Sequence, residues 1–353
     1  LEDQVNKRLT PKLPVAKLIP SRLFAATSQK ITIPEGLQFF NGTGGFSADG
    51  KEYVIITEER KRTPLPWINV IANPNFGTII SENGSSYTWY ENAHAYRLTP
   101  WKNDPVLDGS GEAFYLRDEE SGQYWSPMGS PTFGQGPYVT THGFGYTTFG
   151  HIQDGIRTES RVFVDIDSPV KFVVLKVINQ SDRKRRLSAT GYVEWILGDL
   201  RARSVMHVVT ELDSTCGALV ARNSFNTEFS NHVAFFDVDS PTFYYTADRT
   251  EFIGRNGTLD NPEAMSRSQL SGKSGANMDA CAAIQVPFEL EPGRERTIIF
   301  KLGAGKDLQE VAATVQRFRG NAEASRSFAR VTQFWNTTLN KVQVETPDRS
   351  INI

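Results

Sequence analysis

Along most of the chain, apolar and polar residues alternate in short runs punctuated by Gly, Asn, Asp and Pro. EYVIIT at 52–57, RVFVDI at 161–166 and VKFVVLKVI at 170–178 are such runs, the last two joined by Asp167, Ser168 and Pro169. In RLSATGYVEWIL, residues Leu187, Ala189, Val193, Trp195 and Leu197 share one face. In CAAIQVPFEL, residues Ala282, Ile284, Val286, Phe288 and Leu290 do the same, before EPGRER turns the chain into TIIFKL. Successive side chains of a strand point to opposite faces, so this spacing predicts strands with one face buried. Many strands joined by turns, with no helices between them, predict an antiparallel sandwich rather than a parallel α/β sheet.

The pattern changes at Asp307. Leu308, Val311, Ala312, Val315 and Phe318 fall on one helical face, and Gly320 is a stop signal. A second helix follows, aligning Phe328, Val331, Trp335 and Leu339. At the other end, Pro11, Pro14 and Pro20 stand among Lys and Arg and read as a linker or an arm laid over a neighbour. The expected organisation is an N-terminal arm over 1–34, a β-sandwich domain over 35–305 and a helical segment over 306–353.

Composition narrows the function. A chain of 353 residues with 39% hydrophobic and 22% charged residues can bury a sizeable core. A formal net charge of −2 gives no bulk attraction to nucleic acid or anionic membrane, so no nucleic-acid partner is expected. No stretch approaches the apolar length needed to cross a bilayer. The start, LEDQVNKRLTPKLP, has no apolar h-region and predicts no signal peptide. Cys216 and Cys281 are the only cysteines, which excludes a disulfide framework and predicts two buried thiols in a reducing compartment. The absence of an initiator Met, and the stop at ETPDRSINI, read as a piece of something larger.

Candidate chemistry is sparse. No HExxH or paired-cysteine motif calls for a metal, and no cofactor is implied. NGTGGF at 41–46 lacks the third glycine of a dinucleotide loop and reads as a tight turn. Asp118, Glu119 and Glu120 sit beside Ser121-Gly122 and read as solvated carboxylates at a hairpin tip. His142 lies in THGFGY, where glycines let backbone approach a ligand and imidazole can bond a hydroxyl. A loop histidine satisfied locally is the competing reading. Trp67, Trp89, Trp101 and Trp125 cluster in one segment with Tyr87, Tyr90 and Tyr124. Such aromatics either fill a core or offer platforms to the apolar faces of sugars. LTPWKNDP at 98–105 adds the polar residues a sugar rim needs.

Several long segments carry a resemblance. FFNGTGGFSADGKEYVI (39–55), TPLPWINVIANPNFGTIISENGSSYTW (63–89), RLTPWKNDP (97–105), EAFYLRDEESGQYWSP (112–127), THGFGYTTF (141–149) and GALVARNSFN (217–226) occur in order. Together they resemble the N-terminal sandwich domain of glycoside hydrolase family 94, the former glycosyltransferase family 36. That family comprises disaccharide and oligosaccharide phosphorylases, and the same region forms the C-terminal part of cyclic β-1,2-glucan synthases. The TPLPWINVIANPNFG run is most like the synthase branch.

The resemblance implies a galactose-mutarotase-like supersandwich with linker helices leading to an (α/α)6 barrel that holds the general acid. No catalytic residue is carried over to this chain. The implied partners are a β-glucan oligosaccharide, the barrel of the same polypeptide and a second copy in a homodimer. The implied location is cytoplasmic, including the cytoplasmic part of a larger inner-membrane protein. Trp101, Asp104, His142 and Tyr146 are the expected sugar-facing residues. Two other readings stand beside this one. A stand-alone glucan-binding module would bind sugar without the barrel. A mutarotase-like epimerase would use His142 or His151 with Glu159 to move protons.

Overall fold

The computed structural model describes residues 15–22, 31–59 and 61–353. Much of the expected arm, 1–14 and 23–30, lies outside the described residues. The part described lies on the sandwich: Leu18 N–H donates to the Ser266 carbonyl and Ser21 N–H to that of Glu120, both at 2.8 Å.

Among the described residues the strands are β1 (Gly44–Phe46), β2 (Tyr53–Thr57), β3 (Ile68–Ala72), β4 (Phe76–Ser81), β5 (Ser86–Tyr90) and β6 (Glu112–Asp118). There follow β7 (Tyr124–Trp125), β8 (Tyr138–Gly143), β9 (Tyr146–Gln153), β10 (Ile156–Val164), β11 (Val170–Asn179) and β12 (Arg185–Glu194). The last six are β13 (Val208–Leu212), β14 (Leu219–Asn223), β15 (Val233–Val238), β16 (Tyr244–Asp248), β17 (Ala280–Leu290) and β18 (Glu295–Gly305). Two short helices, α1 (Arg201–Ser204) and α2 (Arg249–Ile253), interrupt them, and α3 (Leu308–Arg317) and α4 (Asn321–Leu339) follow them.

A ten-stranded sheet runs β1-β2-β8-β9-β10-β11-β18-β15-β14-β13. It faces a five-stranded sheet, β16-β17-β12-β6-β7, and a three-stranded sheet, β3-β4-β5. The main core fills the space between the sheets. Leu187, Ala189, Val193, Trp195 and Leu197 all enter it, as do Ala282, Ile284, Val286, Phe288 and Leu290. The period-two runs thus mark the face in the main core, but the other face is not solvated: Tyr192, Cys281 and Ala283 are buried there with Phe252 and Ile253 of α2. The sheets approach so closely at Gly191 that a Cβ there would sit 2.8 Å from the Phe236 ring and 2.9 Å from that of Phe300. Asp165 turns β10 into β11, its Oδ1 accepting from the N–H groups of Asp167 (3.0 Å) and Ser168 (2.9 Å).

The outer face of the large sheet is covered at one end by α3 and α4. Val311, Val315, Phe318, Ala324 and Val331 pack there against Phe163, Phe172 and Phe235, with Phe328 and Trp335 half-buried at the edge. Leu339, expected on the same stripe, is exposed. Asp307 caps α3 by accepting from Glu310 N–H at 2.8 Å. Beneath these helices the buried Lys301 ammonium is held by Asp237 (2.9 Å) and Asp239 (2.6 Å).

One expectation is corrected. Asp118, Glu119 and Glu120 do form a hairpin tip, Asp118 Oδ1 accepting from the N–H groups of Glu120 (2.8 Å) and Ser121 (2.9 Å). They are not simply solvated: Asp118 is buried against Arg185 at 2.7 Å, Glu119 pairs with Arg117 at 2.9 Å, and Glu120 with Arg183 at 2.8 Å. A period-two reading does not show that three arginines converge on one turn. NGTGGF is a tight turn, with Asn41 Oδ1 accepting from Thr43 N–H (3.0 Å) and Gly44 N–H (2.9 Å). Both cysteines are free and buried.

Candidate functional site

A cavity of about 300 Å³ opens on the three-stranded sheet. Leu65, Pro66 and Ile68 form one wall, Ser81, Ser86 and Tyr87 the floor, and the 100–109 loop the other wall. Trp101 is 37% exposed at its mouth. Its ring stands edge-on to Tyr87, centroids 4.6 Å apart, and Tyr87 stacks in turn on Trp89 at 5.3 Å. The Tyr87 hydroxyl donates to the Ala93 carbonyl at 3.0 Å, which fixes the platform.

The loop wall is built by carboxylates. Asp104 Oδ1 accepts from Val106 N–H (3.0 Å) and Leu107 N–H (3.1 Å), so this residue shapes the turn while lining the cavity. Asp108 sits at φ 43°, a left-handed conformation that non-glycine residues rarely adopt. Ser81 Oγ donates to its Oδ2 at 2.7 Å. Burial pushes the Asp108 carboxyl above the usual carboxylate range, against the lowering effect of the Ser81, Ser85 and Asn83 hydrogen bonds. Sequence reasoning missed Asp108. Its signal, an Asp before Gly in LDGSG, looks like any turn.

Behind the first wall, Glu82 is fully buried. Its carboxylate accepts from the Thr63 hydroxyl, from Trp67 N–H at 2.8 Å and from Asn83 Nδ2 at 3.0 Å. It thereby holds the 63–67 segment that presents Leu65 and Pro66. Burial raises the pKa of this carboxyl as well.

Trp101 and Asp104 line this cavity; His142 and Tyr146 do not. His142 lies on β8, where Nε2 donates to the Trp67 carbonyl at 2.9 Å and Nδ1 accepts from the Thr147 hydroxyl at 2.9 Å. Burial lowers its pKa, against the raising effect of the Trp67 carbonyl. Both ring nitrogens are satisfied locally, and the histidine braces the back of the wall. The Tyr146 hydroxyl donates to Glu52, and its ring meets Phe328 of α4 edge-on at 5.3 Å. Burial, then the Glu52 contact, pushes its pKa up. His142 and Tyr146 flank one turn between β8 and β9 but lie on opposite faces of the sheet, His142 inward and Tyr146 toward α4.

The epimerase pairing meets a geometric obstacle. Phe149 packs in the main core, so alternation places His151 on the same inner face of β9, where it is fully buried. Glu159 lies on the opposite face of β10, beside Arg157 and Arg161 in a surface groove. His142 also faces inward, toward Thr147 and Trp67. Neither histidine shares a face with Glu159. Among the described residues, no group of three or more His, Cys, Asp or Glu side chains could hold a metal ion.

Large antiparallel sheets packed face to face and followed by a helix pair define a supersandwich domain. The chain belongs to the glycosyl hydrolase 94 family, whose supersandwich domain matches residues 51–321. It is 37% identical over 318 residues to the cyclic beta-(1,2)-glucan synthase NdvB of Rhizobium meliloti (strain 1021), covering 90% of this chain and 11% of that protein. It is 28% identical over 322 residues to the N,N'-diacetylchitobiose phosphorylase of Vibrio furnissii, covering 88% of this chain and 39% of that one. A bacterial glucoamylase complexed with acarbose shares the fold, with a TM-score of 0.50 and 8% identity over 81% of this chain and 41% of that one. The chain thus spans well under half the length of each. No described helix is long and apolar enough to cross a membrane.

Proposed function

We propose that this chain is the sandwich part of an enzyme acting on β-linked glucans, and that the Trp101 cavity contacts the glucan. The observation carrying this reading is the cavity itself. The aromatic pair Trp101 and Tyr87 lines about 300 Å³ together with the Asp108 carboxylate, which Ser81 Oγ holds at 2.7 Å. Pyranose rings present apolar C–H faces and hydroxyl rims, and this wall offers a partner for each. The similarity to a glucan synthase over 90% of the chain supports the substrate class.

In this reading Trp101 stacks on the sugar, Asp104 and Asp108 meet its hydroxyls, and His142 and Tyr146 hold the supporting walls. Catalysis belongs to a separate barrel of the same polypeptide, which the sandwich braces, and the domain takes part in a homodimer. The enzyme works on the cytoplasmic side, as part of a longer protein of the inner membrane. The isolated chain binds sugar weakly, because one wall of a site gives few convergent contacts and ordering a flexible oligosaccharide costs entropy.

Titrating short β-glucans into isotopically labelled chain and following NMR shifts tests this. The expected dissociation constant is on the order of 1 mM, about −4 kcal/mol, with shifts centred on Trp101 and Tyr87 and lost in Trp101→Ala. Shifts confined to other surfaces would refute the placement. Micromolar affinity would favour a stand-alone binding module.

A further inference from the structure

The outer face of the large sheet carries a second concavity, which the glucan reading leaves unused. Where α3 and α4 stop covering the sheet, a groove of about 570 Å³ remains, well inside the size range of ligand sites. Thr141 of β8, Thr148 of β9, Arg157, Glu159 and Arg161 of β10 and Lys176 of β11 line it. The three β10 residues are spaced by two along one strand, so alternation aims them all outward. In register, Glu159 stands beside Lys176, and Arg161 beside Thr148. Phe328 of α4 closes one side. On the other, Ile31 crosses the sheet at Gly150, where an added Cβ would meet Ile31 Cδ1 at 2.6 Å.

The charges of this groove do not cancel. Arg157 pairs with Glu159 at 2.7 Å, and Lys176 with Glu295 at 2.8 Å. Arg161 has no carboxylate within ion-pair distance among the described residues. Its guanidinium instead lies over the Phe328 ring, 4.2 Å from the centroid. A ring face holds the planar group in one orientation while leaving its N–H fork free. A preoriented fork with surplus positive charge selects a planar or tetrahedral oxyanion over a neutral hydroxyl. Beside it, the Thr141 and Thr148 hydroxyls and the second oxygen of Glu159 offer the mixed donors and acceptors that a saccharide needs.

We propose that this groove binds a saccharide bearing an oxyanion, a sugar phosphate or a sugar acid, with Arg161 receiving the anion. The site is separate from the Trp101 cavity: no residue lines both. It stands whether or not that cavity takes glucan.

The test is an NMR titration of the labelled chain with glucose 6-phosphate, glucuronate, glucose and inorganic phosphate in turn. Glucose 6-phosphate or glucuronate is expected to shift residues of β9 and β10, with affinity at least tenfold above that of glucose. Which of the two binds more tightly identifies the anion. Arg161→Gln should weaken binding at least tenfold, Arg161→Lys should recover part of it by keeping the charge, and Trp101→Ala should leave it unchanged. Arg161 is exposed, so Arg161→Gln should melt like the parent chain. Equal affinity for glucose and its phosphate, indifference to Arg161→Gln, or shifts centred elsewhere would overturn the proposal. Inorganic phosphate binding as tightly as the sugar phosphate would overturn its saccharide half.

Discussion

Lys171 of β11 reaches across the sandwich to Glu112 of β6, Nζ to Oε2 at 2.7 Å, with both side chains 1% exposed. Hydroxyls complete the pair. Ser86, Thr88 and Thr99 donate to the Glu112 carboxylate at 3.0, 2.6 and 2.8 Å, and the ammonium donates to Thr78 at 3.0 Å and to Ser86 at 3.1 Å. One network thus ties all three sheets together beneath the Trp101 cavity, which shares Ser86 with it. Burial alone would raise the Glu112 pKa, but Lys171 and the hydroxyls outweigh it and hold the carboxyl below its ordinary value.

Removing one partner strands the other charge in the core. Lys171→Met should cost about 3–5 kcal/mol in urea unfolding. Glu112→Gln keeps acceptors for the hydroxyls, and the double variant should cost less than the sum of the two singles by more than about 1 kcal/mol. Additive losses would mean that the two residues are not paired.

His151 should make the fold acid-sensitive. The ring is fully buried, stacks on Tyr138 with centroids 3.8 Å apart, and donates from Nδ1 to the Pro137 carbonyl at 3.0 Å. Burial depresses its pKa from 6.5 to about 4. The unfolded chain therefore binds a proton that the folded chain refuses. Stability is full above pH 6.5 and falls by up to roughly 3 kcal/mol as pH drops toward 4. His151→Asn, which keeps a donor for Pro137, should flatten that slope between pH 7 and 5.5 in denaturant titrations. An unchanged slope would assign the acid sensitivity elsewhere.

The helix pair is joined to the sandwich at the β8–β9 turn. Gly145, at φ 81°, lies so close to α4 that a Cβ there would meet the Trp335 ring at 2.4 Å and Val331 at 2.9 Å. Gly145→Ala should therefore destabilise through both backbone strain and collision, by about 2 kcal/mol or more. Trp335 is half-buried, so Trp335→Ala should cost about 2 kcal/mol, below the 3–5 expected of a fully buried aromatic ring. Thermal melts of both variants provide the check, and an unchanged midpoint would mean that α4 is not docked in solution.

Asp108 is a strained, partly desolvated carboxylate at the cavity wall. Its raised pKa means that folding disfavours the ionised form, so this group costs stability at neutral pH. Asn removes the charge and tolerates a left-handed backbone. Asp108→Asn should fall within about 1 kcal/mol of the parent, on the stabilising side, while weakening glucan binding. A stabilised variant with unchanged sugar shifts would remove Asp108 from the proposed contacts.

The sequence by itself determined the layers. The alternation in 187–197 and 282–290 marked the face that enters the main core, though the opposite face is buried too, and Leu308, Val311, Val315 and Phe318 marked the buried face of a helix. These are local periodicities, imposed by the geometry of the chain itself. The tertiary structure decided what lies opposite what. Lys171 and Glu112 are polar letters within strands, and nothing near either in sequence says that the other is 2.7 Å away. Trp101 and Asp104 reached one cavity because a single loop carries them, whereas His142 was drawn inward to the Trp67 carbonyl. Arg161 reads as a solvated charge on an outward face until α4 lays Phe328 beneath it. Contacts between residues far apart along the chain depend on how layers stack, and that information is carried by the packed whole rather than by any window of the sequence.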